Sequence, residues 1–336
     1  WQSSNTIVGG SGGTGVFSPN VLFVRKGADA GAADGSAEHP FAEPADALEH
    51  VYSLGNASEI NQYLVDVGAG TFTKQCFMRT PYTKLRGVGD NATIIAVAAG
   101  IGVWWTNALL TSIQALETAN GHVSAAALDA NYATLTADPA ITSLLGSSLE
   151  SITVAQHTVG VPVMTYIGVG ADYDTGITPR TITMCGFEGE MYMRNASRIN
   201  MRRSNCAKTI YCRQARLLDV DDCETLSLEA DFNQTEPRSA APYNTIGIVF
   251  SKDNRYGNDI LLSGEVQLLS YSGDFVTDLV QTTEMPEYDY GYHPIGREGY
   301  KKIFGVAPID FEHPELSTEW RQYRLNAITK LVNELV

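Results

Sequence analysis

The feature that most constrains this chain lies between Val21 and Val97, where short apolar runs alternate with turns of Gly, Asp and Asn. Residues 21–24, 64–67, 76–78, 84–86 and 93–97 each have the length and composition of a short buried strand. Their roughly even spacing predicts a coiled or layered β fold. One piece differs: Ala47, Leu48 and Val51 fall on one face of a helix spanning residues 43–52.

The same stretch carries a recognisable order of motifs. Asp34, Gly35 and Ser36 precede Pro40 and Phe41, and a helix ending near Ala47-Leu48 follows. Val65, Val67, Gly70 and Phe72 then spell a strand-turn, and Leu85, Gly87, Gly89, Thr93, Ile94 and Ile95 a second one. In this order and spacing the segment resembles the opening of the pectin-lyase-like right-handed parallel β-helix superfamily, of the viral tailspike, fibre and decoration kind. The resemblance covers about 75 residues. It implies an all-β solenoid with an N-terminal capping helix that shields the first coil, whose open edge would otherwise invite strand addition. The active-site segments of the family's enzymes, WIDH and RxPxxR of pectate lyases and GxxDFIFG of pectin methylesterases, have no match here. The resemblance thus implies the fold and leaves the enzyme sites behind.

Residues 104–150 break the strand rhythm with Ala- and Leu-rich helical spacing, so a helical insertion is expected, either projecting from the coils or packed against their side. Coils are expected to return from Thr181. Intervals of 17 residues (Ile182 to Ile199, Cys206 to Cys223) and 19 residues (Ile199 to Leu218) suit a solenoid with tight turns. The expected organisation is a Gly- and Ser-rich arm over 1–20, a β-helix over 21–270 and a C-terminal loop and helix over 271–336. In that last helix Leu325, Ile328, Val332 and Leu335 form a short a/d seam, which suits either a trimer clasp or docking onto the chain itself.

Charge and composition exclude some functions. A formal net charge of −15 argues against general nucleic-acid binding, which needs clustered Lys and Arg. No apolar run is long enough for a membrane span. The five cysteines have no CxxC spacing and read as small buried hydrophobes. The scattered histidines show no metal spacing, and no cofactor is implied. Gly10, Gly12 and Gly15 match GxGxxG by letter only, because Pro19 follows where a helix would have to start.

The candidate chemistry is acidic. Asp219, Asp221, Asp222 and Glu224, with Glu229 and Asp231 further on, lie near Arg202, Arg203, Arg213 and Arg216. Glycosidases need two carboxylates about 5–10 Å apart, and coils about 4.8 Å apart can supply them. A lyase would instead pair a cation with an arginine base such as Arg203. The alternative is an exposed coil face whose charges pair with each other. Tyr288, Tyr290, Tyr292 and Tyr300 form a tyrosine-rich loop suited to sugar stacking, to a subunit interface, or to pinning itself. Together with the resemblance, these features lead us to expect a homotrimeric virion-surface or extracellular structural protein. Its arm would contact other virion proteins and its shaft a host-surface polysaccharide. A polysaccharide depolymerase and a non-catalytic carbohydrate-binding module are the alternatives.

Overall fold

A computed structural model describes residues 20–283, apart from 30, 90, 99, 121–122, 132–133, 142–143, 157–162, 169–179, 195–198, 214–216, 233–246, 258–259, 265, 271–274 and 277–279. The arm, the tyrosine-rich loop and the C-terminal a/d seam therefore lie outside the described residues. The chain opens with β1 (Asn20–Val24) and α1 (Pro44–Leu54). Then come β2 (Tyr63–Val67), β3 (Gly70–Phe72), β4 (Cys76–Met78), β5 (Thr83–Arg86), β6 (Thr93–Val97) and β7 (Gly100–Thr106). Helices α2 (Leu110–Asn120) and α3 (Ala125–Asn131) follow. Next are β8 (Ser148–Glu150), β9 (Thr153–Gln156), β10 (Val163–Gly168), β11 (Arg180–Thr183), β12 (Gly186–Phe187), β13 (Met191–Arg194) and β14 (Ile199–Arg202). Long strands β15 (Asn205–Arg213) and β17 (Glu224–Phe232) flank β16 (Leu217–Asp221). The series ends with β18 (Gly247–Lys252), β19 (Arg255–Tyr256), β20 (Ile260–Gly264), β21 (Val266–Ser270), β22 (Phe275–Val276) and β23 (Val280–Thr283).

The protein is mostly β, built on two long parallel sheets that the chain visits in turn. The first sheet runs β1-β2-β5-β8-β11-β14-β16-β18-β21. The second holds two parallel stacks, β3-β6-β9-β12 and β4-β7-β10-β13, which β15 joins by pairing with both β12 and β13. This is consistent with a parallel β-helix or solenoid.

Register explains why the apolar runs recur. Leu22, Val65, Leu85, Leu149, Ile182, Met201 and Val220 are successive partners in the first sheet, and all are buried. Phe72, Ile95, Val154, Phe187, Cys206, Thr225 and Tyr256 make a second buried column. Met78, Trp105, Ile167, Met193, Cys212 and Ala230 make a third. Each coil therefore contributes one side chain to each column, and the stack shares one core. The step is 19 residues for both Ile199 to Leu218 and Cys206 to Thr225. The 17-residue intervals were a mismatch of columns: Ile182 partners Met201, and Ile199 partners Arg180.

The motif residues of the opening have local jobs. A loop runs along the outer edge of β1, where Phe23 N–H donates to Gly35 O (2.8 Å), Phe41 N–H to Phe23 O (2.9 Å) and Arg25 N–H to Phe41 O (2.9 Å). Gly35 is required there: its φ is +84°, and a Cβ would sit 2.6 Å from Leu22 Cδ2. Pro44 starts α1 and Gly55, at φ 62°, ends it. Ala47, Leu48 and Val51 of α1 are buried in the main core. Glu43 pins the helix start to the first coil, pairing with Lys26 (3.1 Å) and accepting from Thr73 N–H (3.1 Å).

The helical insertion differs from expectation at both ends. Strand β7 continues through Thr106, and the coils resume at Ser148, where β8 pairs directly with β5 and β11. Between them, α2 and α3 pack on the outward side of β7, β10 and β13. Ile113, Leu116, Ala125 and Leu128 join Trp104, Tyr166 and Tyr192 in a second apolar cluster.

After β8, β11, β14, β16 and β18 the coil turns from the first sheet to the second through a left-handed residue. Ser151 (φ 55°), Met184 (52°), Arg203 (47°), Asp222 (54°) and Asp253 (53°) hold this place in successive coils. The next residue is a buried corner. Cys185 N–H donates to Ser204 Oγ (3.1 Å), and Cys223 N–H to Asn254 Oδ1 (2.9 Å). These polar side chains satisfy backbone donors that the turn removes from the ladder.

Candidate functional site

Asp219 and Asp221 fall on the outward face of the first sheet, with Asp222 at its corner and Glu224 just beyond, whereas Glu229 lies on the insertion side. Alternation along β14 and β16 turns Ile199, Met201, Leu218 and Val220 inward, so Asn200, Arg202, Asp219 and Asp221 point out. Along this face one register column reads Asp66, Arg86, Glu150, Thr183, Arg202 and Asp221. Opposite charges thus stand across neighbouring rungs. Arg86 pairs with Asp66 at 2.8 Å, and Lys84 with Glu150 at 2.6 Å. Asp219 approaches Arg202 at 3.9 Å, Asp222 approaches Arg203 at 4.0 Å and Glu224 approaches Arg255 at 4.0 Å.

Burial alone would push the Asp66 carboxyl up. The hydrogen bonds from Arg86 and Arg25 outweigh that and hold it below the ordinary carboxylate range. A shallow depression of about 710 Å³ runs beside Arg202, Arg203, Asp221, Asp222 and Asp253, with Thr181, Thr183 and Asn200 along its floor. Arg203 and Asp222 are the left-handed corner residues themselves, and their side chains are 73% and 71% exposed. Glu224 begins the next strand, beyond the corner.

The structure assembles a second group that sequence reasoning missed. Phe77, Trp104, Tyr166, Tyr192 and Tyr211 are successive partners on the outward side of the other face. Trp104 and Tyr166 rings lie 4.9 Å apart, Tyr166 and Tyr192 5.8 Å, and Tyr192 and Tyr211 6.4 Å. The insertion covers the middle of this column, and Tyr211 is left half-buried at its end. Beside it, Asp129 of α3 accepts from the Tyr192 hydroxyl (2.5 Å) and from Arg213 Nε (3.4 Å), and lies 3.5 Å from Arg194 Nη1. Glu229 accepts from Arg213 Nη2.

One guanidinium therefore holds two carboxylates, each about one-third exposed, while its own side chain is 10% exposed. Burial works against the charge on Arg213, but the Glu229 bond and the Asp129 and Glu229 charges overcome it and raise its pKa. Burial also drives the Tyr192 hydroxyl far above its ordinary value, and pushes Tyr166 up to about 12. The signal that could have found this group is the repeat Met191-Tyr192-Met193-Arg194 and Ile210-Tyr211-Cys212-Arg213, one coil apart.

The cysteines offer no nucleophile. All five are free and buried, and burial pushes Cys185 and Cys206 up to about 12 and Cys223 up to about 11. Among the described residues no helix is long and apolar enough to cross a membrane. No family model matches the chain, and no curated protein matches it.

Proposed function

We propose that this chain is a right-handed parallel β-helix serving as a structural shaft on a virion surface, as part of a tailspike, fibre or capsid decoration, and contributing to host-surface attachment as a homotrimer. The observation that carries the structural reading is the register-matched column of opposite charges. Asp221 stands in that column, and Asp219, Asp222 and Glu224 each approach an arginine of a neighbouring rung, as a solvated solenoid face requires. Nine rungs at about 4.8 Å give a rod roughly 4 nm long in the first sheet alone. The resemblance over residues 21–97 supplies the virion-surface class. Sedimentation of the full chain and of a 317–336 deletion tests it. A trimer that the deletion dissociates is expected, and a monomer at micromolar concentration in both would overturn the reading.

A second reading rests on a different observation. Asp129 and Glu229 share one guanidinium beside the half-buried ring of Tyr211, an arrangement suited to gripping a sugar or hydrolysing a glycosidic bond. Release of reducing ends from acidic polysaccharides distinguishes the two. A depolymerase would lose activity in Glu229→Gln and keep it in Asp221→Asn, and a structural shaft would show no release at all.

A further inference from the structure

The insertion occupies an unusual place in the stack. The chain leaves the coils after Thr106 and re-enters at Ser148, yet β5 and β8 already pair there through Lys84 with Ser148, Leu85 with Leu149 and Arg86 with Glu150. The rungs close without α2 and α3. The two helices instead lie across an outward-facing column whose members, Trp104, Tyr166 and Tyr192, are at most 1% exposed.

The helices' own hold is narrow, with Ala108, Val123 and Leu135 of the flanking segments adding to the same cluster. Of the eleven residues of α2, Ile113 and Leu116 are buried; of the seven of α3, Ala125 and Leu128. Polar contact is concentrated in two carboxylates. Glu117 Oε1 accepts from Gln75 Nε2 (2.6 Å) and from the Trp104 indole N–H (3.1 Å). Asp129 holds Tyr192, Arg194 and Arg213 from the far end. A seven-residue helix cannot sustain itself in water, where isolated helices shorter than about 12–15 residues are marginal. Docking is what keeps α3 helical, so losing the Asp129 contact melts α3 as well as freeing it. The coils differ, because each inner rung is bonded on both sides and shares the continuous core. Segments with few buried contacts open locally at a lower free energy than the whole fold.

We propose that α2 and α3 form a strap which opens independently of the coils. Its closed state is held by Asp129 against Tyr192, Arg194 and Arg213, and its opening uncovers the Trp104–Tyr166–Tyr192 column as a continuous strip with Tyr211. The closed strap hides an aromatic surface that the open one presents.

Hydrogen exchange of the full chain, read by mass spectrometry, tests this. Residues 110–131 should exchange at least about tenfold faster than β14 and β16, the signature of local rather than global opening. Asp129→Asn, which keeps the side-chain shape, should speed exchange in 110–131 by about a further tenfold, and that exchange should stay nearly independent of sub-denaturing urea while exchange of β14 and β16 rises steeply with it. Leu128→Ala should do the same through the apolar contact, and serves if Asp129→Asn compromises folding. Equal rates in the strap and the rungs of the unmodified chain would overturn the proposal. So would exchange in 110–131 that rises with urea as steeply as in β14 and β16, or no change in 110–131 in both variants.

Discussion

The two outward faces of the stack carry much the same charged residues and handle them in opposite ways. On the first sheet, Arg202 and Asp219 meet at 3.9 Å with side chains 53% and 22% exposed, in contact with water. On the insertion side, Arg194 and Arg213 lie beneath α3 with side chains 3% and 10% exposed; α3 brings Asp129 to both, and the neighbouring rung brings Glu229 to Arg213. Exposed pairs contribute about 0–1 kcal/mol and mainly set register. A buried guanidinium must be matched, because removing its partner leaves a desolvated charge. The first face can therefore tolerate change residue by residue, whereas the second behaves as one unit.

Substitutions break the comparison most sharply under the insertion. Trp104→Ala should cost about 3–5 kcal/mol in urea unfolding, since a fully buried indole is replaced by a cavity. Asp129→Ala should cost about 2 kcal/mol, below the 3–5 kcal/mol of a fully buried pair because water reaches one side of it; the same unfolding curve measures it. Acid probes the first face through Asp66. Its folded pKa is depressed, so its contribution is present above the ordinary value of 3.8 and lost as pH falls through the lower folded value. The urea midpoint should therefore drop below about pH 4, and Asp66→Asn should flatten that drop. At the exposed corner, Asp222→Asn, which keeps a residue that tolerates the left-handed backbone, should change stability by less than about 0.5 kcal/mol. A loss above about 2 kcal/mol would mean that this corner is not the open, screened site its exposure implies.

Much of the first sheet could be read in advance, because its strands alternate or run apolar between Gly and Asn turns. The pieces at 21–24, 64–67 and 84–86 fall one residue short of β1, β2 and β5, and in the second sheet those at 76–78 and 93–97 match β4 and β6 residue for residue. The column assignments could not be read as easily. Ile182, Ile199 and Leu218 are all inward and apolar, and hydrophobicity alone does not say which two share a column. The aromatic column was hidden for another reason. Trp104 and Trp105 are both buried, one outward beneath the helices and one inward, so β7 reads as an unbroken apolar run. The steps from Trp104 to Tyr166 and from Tyr166 to Tyr192 are also irregular, since the insertion and later loops lie between them. Asp129 carried no signal at all, because only the docking of α3 brings it to Arg213.

The left-handed corner has a consequence for how such a molecule can change length. After β8, β11, β14, β16 and β18, two residues separate the first-sheet strand from the strand that follows: 151–152, 184–185, 203–204, 222–223 and 253–254. One added there would turn every inward side chain of the following strand outward. The opposite seam, where β7 hands over to β8, β10 to β11 and β17 to β18, holds segments of very different size. The largest growth by insertion thus sits at one hem of the fabric, and the helical strap is what has been stitched there.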